Sequence, residues 1–179
     1  MNKQIPTELL KLELRKLQIK VAEESRSNFL TFVKKVWPDF ISGPHHKIIA
    51  KKFEEISRGK IKRLIVNMPP RHTKSEFASN LFPAWMMGRN PKLKIIEATH
   101  TAELSYNFGR KVRNLFDQQE FQDVFPDVSL SQDSKAAGRF TTNKGGEYFA
   151  AGVGGAITGR GADLLIIDDP HSEQDALSE

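Results

Sequence analysis

Four apolar residues in a row, Leu164-Leu165-Ile166-Ile167, run directly into two adjacent carboxylates, Asp168-Asp169. A strand this apolar is expected to be buried on both faces, as in a parallel sheet covered by helices. Sheets of that kind bind ligands at the carboxyl ends of their strands, where this run delivers its two acids. The upstream sequence fits such a sheet. Leu64-Ile65-Val66 reads as a short strand, followed by a proline-rich turn and a helix from about Lys74. Lys94-Ile95-Ile96 reads as a second strand, followed by a helix from Thr101 with Leu104, Phe108, Val112 and Leu115 on one face. Glu147 to Ala151 is a further strand, while residues 118–143 follow neither period. Strand and helix patterns in alternation predict an α/β domain with a mainly parallel central sheet flanked by helices.

The chain up to Lys62 is different in kind. Leu10, Leu14, Leu17 and Val21 recur at helical spacing among Lys and Glu, which predicts an amphipathic helix from Thr7 to about Ser25. Phe29 to Val36 is a second apolar segment, stopped at Trp37-Pro38 because proline restricts the residue before it. A third helix is expected from Pro44 to Ser57, with proline in its first turn, Ile48, Ile49, Phe53 and Ile56 inward, and Gly59 beyond its end. The division that follows is a helical appendage over 1–27 and a main domain over 28–179.

With 39% apolar and 27% charged residues, the 179-residue chain is too apolar for disorder. Its apolar runs are a few residues long, against roughly 20 for a membrane span. The absence of cysteine removes disulfides, cysteine zinc sites and thiol nucleophiles together. Met1 to Leu10 has no segment like the apolar core of a signal peptide, so the expected location is intracellular. Up to Arg63 there are 15 Lys and Arg against 7 Asp and Glu, and beyond it 12 against 15. The basic excess is therefore N-terminal, where it can neutralise nucleic-acid phosphates or form a solvated helix face.

Lys74-Ser75 opens a helix directly after a strand and a tight turn. In a phosphate-binding loop at such a junction, backbone N–H groups surround the phosphates, the lysine reaches the β- and γ-phosphates, and the hydroxyl ligates Mg²⁺. The usual glycines would fall at 68 and 73, where this chain has Met68 and Thr73. An ordinary strand-to-helix turn with a surface lysine is the competing reading of this junction alone. The pair Asp168-Asp169 weighs against that reading: Asp168 can hold Mg²⁺ and Asp169 can orient or deprotonate an attacking water. Between the two elements, residues 152–161 hold five glycines and a single charge, Arg160. That arginine can serve as a finger on a transferring phosphoryl group, as a phosphate or DNA-backbone contact, or as a solvated loop residue.

Pro69-Pro70-Arg71-His72-Thr73-Lys74-Ser75-Glu76, the glycine-rich run from Gly145 to Asp163, and Leu164 to Pro170 together resemble the ATPase domain of the tailed-bacteriophage terminase large subunit. The likeness extends from about Asn28 to the end. It implies a P-loop NTPase fold of the ASCE type that uses ATP and Mg²⁺ to drive double-stranded DNA into a procapsid. Pro70, Arg71, His72, Thr73, Lys74 and Ser75 would then line the phosphates. Ser75 and Asp168 would hold the metal, and Lys74, Asp169 and Arg160 would carry catalysis. Thr73 departs from the family's Pro-Pro-Arg-His-Gly-Lys-Ser, and Asp169 stands where many relatives have glutamate. Pro44-His45-His46 resembles the adenine-recognition stretch, with His46 as the candidate, and Thr99-His100-Thr101 resembles a turn that supports nucleotide or DNA contacts.

The same resemblance implies a portal protein and a small terminase subunit as partners, a homo-oligomeric ring on the procapsid, and a place in the host cell cytoplasm. Large subunits of this family continue into further ATPase strands and a nuclease. This chain ends at Glu179, so it is expected to be the N-terminal part of a larger protein, with exposed sheet edges and weak activity alone. A helicase-like ATPase shares the loop and the carboxylate strand. A non-hydrolytic DNA-binding or assembly protein with a degenerate loop is the alternative from another class.

Overall fold

The computed structural model describes residues 7–171 apart from 156, so the outer ends of both expected segments lie outside the described residues. Three helices come first: α1 (Thr7–Ser27), α2 (Phe29–Val36) and α3 (Pro44–Ser57). A helix from Lys74 passes through a π-helical stretch, Glu76–Leu81, into α4 (Phe82–Arg89). Then follow β1 (Lys94–Thr99), α5 (Ala102–Leu115), α6 (Gln119–Val124), β2 (Leu130–Ala136), β3 (Arg139–Thr142), β4 (Glu147–Gly152) and β5 (Leu164–Asp168).

The local reasons are in the sequence. Asn28 caps α2, its side chain accepting the Thr31 N–H at 2.8 Å, and the Thr101 hydroxyl accepts the Leu104 N–H at the start of α5. Gly43 and Pro44 start α3, where the His46 ring takes the Gly43 N–H at 2.8 Å. Gly152 lets β4 pass the start of α5, because a Cβ there would stand 2.5 Å from the Ala102 nitrogen.

Phe29 is the hub of the helical layer. It has no exposed surface, and its ring centroid lies 5.3 to 5.9 Å from those of Phe53, Phe77, Phe82 and Trp85, all at edge-on angles. The carboxyl end of α1 belongs to this core: Trp85 Nε1 donates to the Ser25 carbonyl at 2.8 Å, and Arg26 Nε to the Val124 carbonyl. The rest of α1, residues 7–20, is exposed, with Leu10, Leu14 and Leu17 among the open side chains. Among the described residues no helix is long and apolar enough to cross a membrane.

The sheet runs in the order β2-β3-β4-β1-β5. β1 lies parallel to β4 and β5, whereas β3 is antiparallel to both β2 and β4. The architecture is thus α/β, and the sheet is mixed rather than mainly parallel. The antiparallel strands come from the stretch that follows neither period, where a short β2–β3 connection needs no crossover helix.

Further expectations change. Leu64-Ile65-Val66 is extended but not a strand. β5 is the last strand of the sheet, and a cleft of about 800 Å³ separates the 61–66 segment from it, so the segment does not pair with its open edge. Ile65 is 86% exposed, and Leu165 and Ile167 on the other wall are more than half exposed, so β5 is buried on one face and not on both as expected. In α3, Ile48 points to solvent while His46, Ile49, Ala50 and Phe53 face the core, because neighbours 48 and 49 lie about 100° apart on a helix.

One buried acid stands out. Glu97, on β1, has no exposed surface, and Tyr148 Oη donates to its Oε2 at 2.5 Å. Burial raises its carboxyl from 4.5 to about 8, with the hydrogen bond from Tyr148 opposing the rise and nearby Asp168 adding to it. Between those values the folded chain holds a proton that the unfolded chain has lost, so stability falls as pH rises, by up to about 1.4 kcal/mol per pH unit. Urea denaturation between pH 5 and 8 should show this slope, and Glu97→Gln should flatten it. An equal slope in the variant would remove Glu97 as its source.

Candidate functional site

The parallel strands β1 and β5 end side by side, Thr99 opposite Asp168, and the helix beginning at Lys74 points its first residues at the same edge. The Lys74 ammonium lies between two carboxylates, 3.0 Å from Asp168 Oδ1 and 2.5 Å from Asp169 Oδ1. Asp168 is almost wholly buried and gives its other oxygen to the Ser79 hydroxyl at 3.0 Å; Asp169 is 68% exposed. Burial works against the charged ammonium, but its bonds to Asp169 and Asp168 outweigh that, and Lys74 is held above the ordinary lysine value.

Among the described residues three non-glycines adopt positive φ: Arg71 at 64°, Thr73 at 64° and Asp169 at 44°. All three are in this site. Each such conformation costs on the order of 1–3 kcal/mol and persists only where the surroundings over-determine it. Thr73 therefore takes the backbone form for which its position would favour glycine. A left-handed residue followed by helical Lys74 and Ser75 is the arrangement in which successive N–H groups converge on an anion. Across the edge, the Asp169 carbonyl accepts the His100 N–H at 3.2 Å, which ties the end of β5 to the turn after β1.

The remaining residues singled out from sequence divide clearly. Pro70, Arg71 and His72 are exposed in the loop, where His72 Nδ1 donates to the Pro70 carbonyl at 2.8 Å. Ser75 is half-buried and caps nothing through its side chain. His46 is turned inward: it is buried between Phe40 and Phe77, with ring centroids 4.7 and 4.9 Å away, and its Nε2 lies 2.6 Å from Thr73 Oγ1. Its polar edge is thus committed to the loop and not open to a base.

Arg160 is the clear departure. It stacks 3.9 Å above the Phe149 ring and pairs with Glu147 at 3.3 Å. Glu147 is the first residue of β4, opposite Lys94 at the start of β1. With a rise of about 3.3 Å per residue, the start of β1 is roughly 16 Å from its end. Arg160 therefore sits at the amino-terminal edge of the sheet, opposite Lys74 and Asp168, and does not reach this site within one chain. Its position four residues before β5 agrees with this, because the loop enters that strand at its amino-terminal end, away from the acids at its other end.

Ser79 and Glu97 were not evident from sequence. Ser79 stands one helical turn after Ser75, a spacing that puts both on one helix face but does not identify an acid partner. A carboxylate and hydroxyls are hard oxygen donors that suit Mg²⁺, which keeps several waters and needs few protein ligands. Among the described residues no group of three or more His, Cys, Asp or Glu is disposed to bind a metal by itself. Comparison with protein-family models, curated proteins and solved structures gives no match.

The two acids should separate in stability as they do in burial. Asp168→Asn should cost about 1–3 kcal/mol, since an amide cannot receive both Lys74 and Ser79 as the carboxylate does. Asp169→Asn, exposed, should stay within about 0.5 kcal/mol of the parent. Urea denaturation of both variants checks the difference, and equal losses would contradict this assignment.

Proposed function

We propose that this chain is the ATPase portion of a phage terminase large subunit, which couples Mg²⁺-dependent ATP hydrolysis to movement of double-stranded DNA into a procapsid. The observation that carries the reading is the Lys74 ammonium resting on Asp168 and Asp169, at the mouth of a left-handed loop that opens a helix. Motif resemblance extends it to the terminase class.

In this reading the backbone N–H groups of residues 73–75 and the Lys74 ammonium hold the phosphates of ATP. Lys74 turns from the carboxylates to the β- and γ-phosphates, which releases both acids. Asp168, fixed by Ser79, and the Ser75 hydroxyl would hold Mg²⁺, which would supply charge neutralisation at the phosphates. Asp169, solvent-facing, orients a water in line with the γ-phosphorus and receives its proton as the bond to the β-bridging oxygen breaks. Arg160 has no part in this within one subunit; as a finger it would act on a neighbour's nucleotide in a ring. Pairing with Glu147 is what it would have to leave. The basic N-terminal helices are the proposed DNA contact, with portal protein and small subunit as partners in the host cytoplasm.

Lys74→Ala should lower ATP turnover by at least about 100-fold, in the range for loss of a preorganised charge at the reacting phosphates. Turnover is measured in the full-length protein with procapsid and small subunit. Asp168→Asn should weaken Mg²⁺-dependent ATP binding, whereas Asp169→Asn should bind and fail to hydrolyse. Unchanged turnover in Lys74→Ala would overturn the reading. A helicase-like ATPase would instead separate strands, and a non-hydrolytic assembly protein would bind DNA without turnover. DNA affinity should fall by about 0.9 log unit per log unit of salt for each phosphate contacted, as measured by a salt titration.

A further inference from the structure

His46 and Thr73 are 27 residues apart in sequence and meet at 2.6 Å beside the loop. His46 Nε2 has two neighbours, Thr73 Oγ1 at 2.6 Å and His45 Nε2 at 3.1 Å, and the threonine hydroxyl is the nearer. His46 Nδ1 accepts the Gly43 N–H at 2.8 Å, so this nitrogen is bare and Nε2 carries the ring proton. Thr73 Oγ1 donates to the His72 carbonyl at 2.5 Å, so its lone pairs face outward to accept. The chain of donors therefore runs from the Gly43 amide through the imidazole and the Thr73 hydroxyl to the His72 carbonyl. It ends on the peptide between His72 and left-handed Thr73, one residue after left-handed Arg71.

A β-branched residue at positive φ is a backbone outlier that needs an external hold. Here the hold comes from a buried ring packed against Phe40 and Phe77 and rooted in the first turn of α3. We propose that His46 is a positioning residue, which locks the 71–75 loop in its anion-binding shape through the Thr73 hydroxyl and so replaces what a glycine would supply. Its effect on ATP affinity rests on the ATPase reading; the latch itself is a property of the nucleotide-free chain. A threonine hydroxyl thus ties the loop to α3, a connection a glycine could not make.

The Phe77 amide reports on the loop, because it donates to the Thr73 carbonyl at 3.0 Å. Hydrogen exchange at Phe77 is measured in the nucleotide-free protein, alongside Mg²⁺-ATP affinity. His46→Ala and Thr73→Val should each speed exchange by about tenfold, the loss of one ordinary hydrogen bond, and the double variant should add little. Thr73→Val keeps the buried imidazole, so it tests the contact even if His46→Ala fails to fold. His46→Gln, whose amide can both accept from Gly43 and donate to Thr73, should restore most protection. With Thr73→Gly as the parent, His46→Ala should leave exchange at Phe77 within about twofold. Additive effects of His46→Ala and Thr73→Val, or an undiminished His46→Ala effect in the Thr73→Gly parent, would overturn the latch. If the exchange pattern holds while the parent protein binds no ATP, the latch stands and the ATPase reading falls.

Discussion

The Lys74 ammonium between Asp168 and Asp169 joins elements that the chain keeps 94 residues apart. It connects the start of a helix to the end of β5, and Ser79, one turn further along that helix, grips the same buried carboxylate from the other side. One cation facing two acids is a stable resting arrangement only without a competing anion. In the proposed ATPase a polyphosphate would draw Lys74 away and free both carboxylates. The proposed chemistry depends on that exchange.

The geometry around this contact is strained, and the strain is local. Arg71, Thr73 and Asp169 are left-handed on both sides of the Lys74 contact. The loop is held from one side by His46 and α3, and the β5 end is held by the His100 amide after β1. The supports are themselves rigid. Phe77, packed against the His46 ring, also meets Phe29 edge-on at 5.6 Å, so the site rests on the aromatic centre of the helical layer. A change deep in that layer is therefore felt at the loop without touching a site residue.

Glu97 and Arg160 show how poorly charge in a sequence reports place. Glu97 reads as one acid in a short apolar strand, yet it is buried beside Tyr148 and close enough to Asp168 to feel its charge. Arg160 reads as a neighbour of the acids, since eight residues separate it from Asp168. The register of β4 against β1 sends it to the opposite edge.

The sequence by itself determined the local elements and which residue types stand at the helix start and the strand end. Helical spacing in α1 and α5, the apolar run of β5 with its two acids, and Lys74-Ser75 at a helix start are each properties of a few adjacent residues. Such patterns are legible because they repeat at 3.6 or 2 residues or mark an element's end. Only the tertiary structure decided the rest: the mixed order of the sheet, the unpaired 64–66 segment, the inward turn of His46, the grip of Ser79 on Asp168, and the side on which Arg160 falls. A strand is defined by its partner, and Leu64-Ile65-Val66 has none within reach. The glycine missing at 73 gives way to a hydrogen bond from a helix 27 residues upstream. Contacts across that distance are set by packing and register, which no local pattern records.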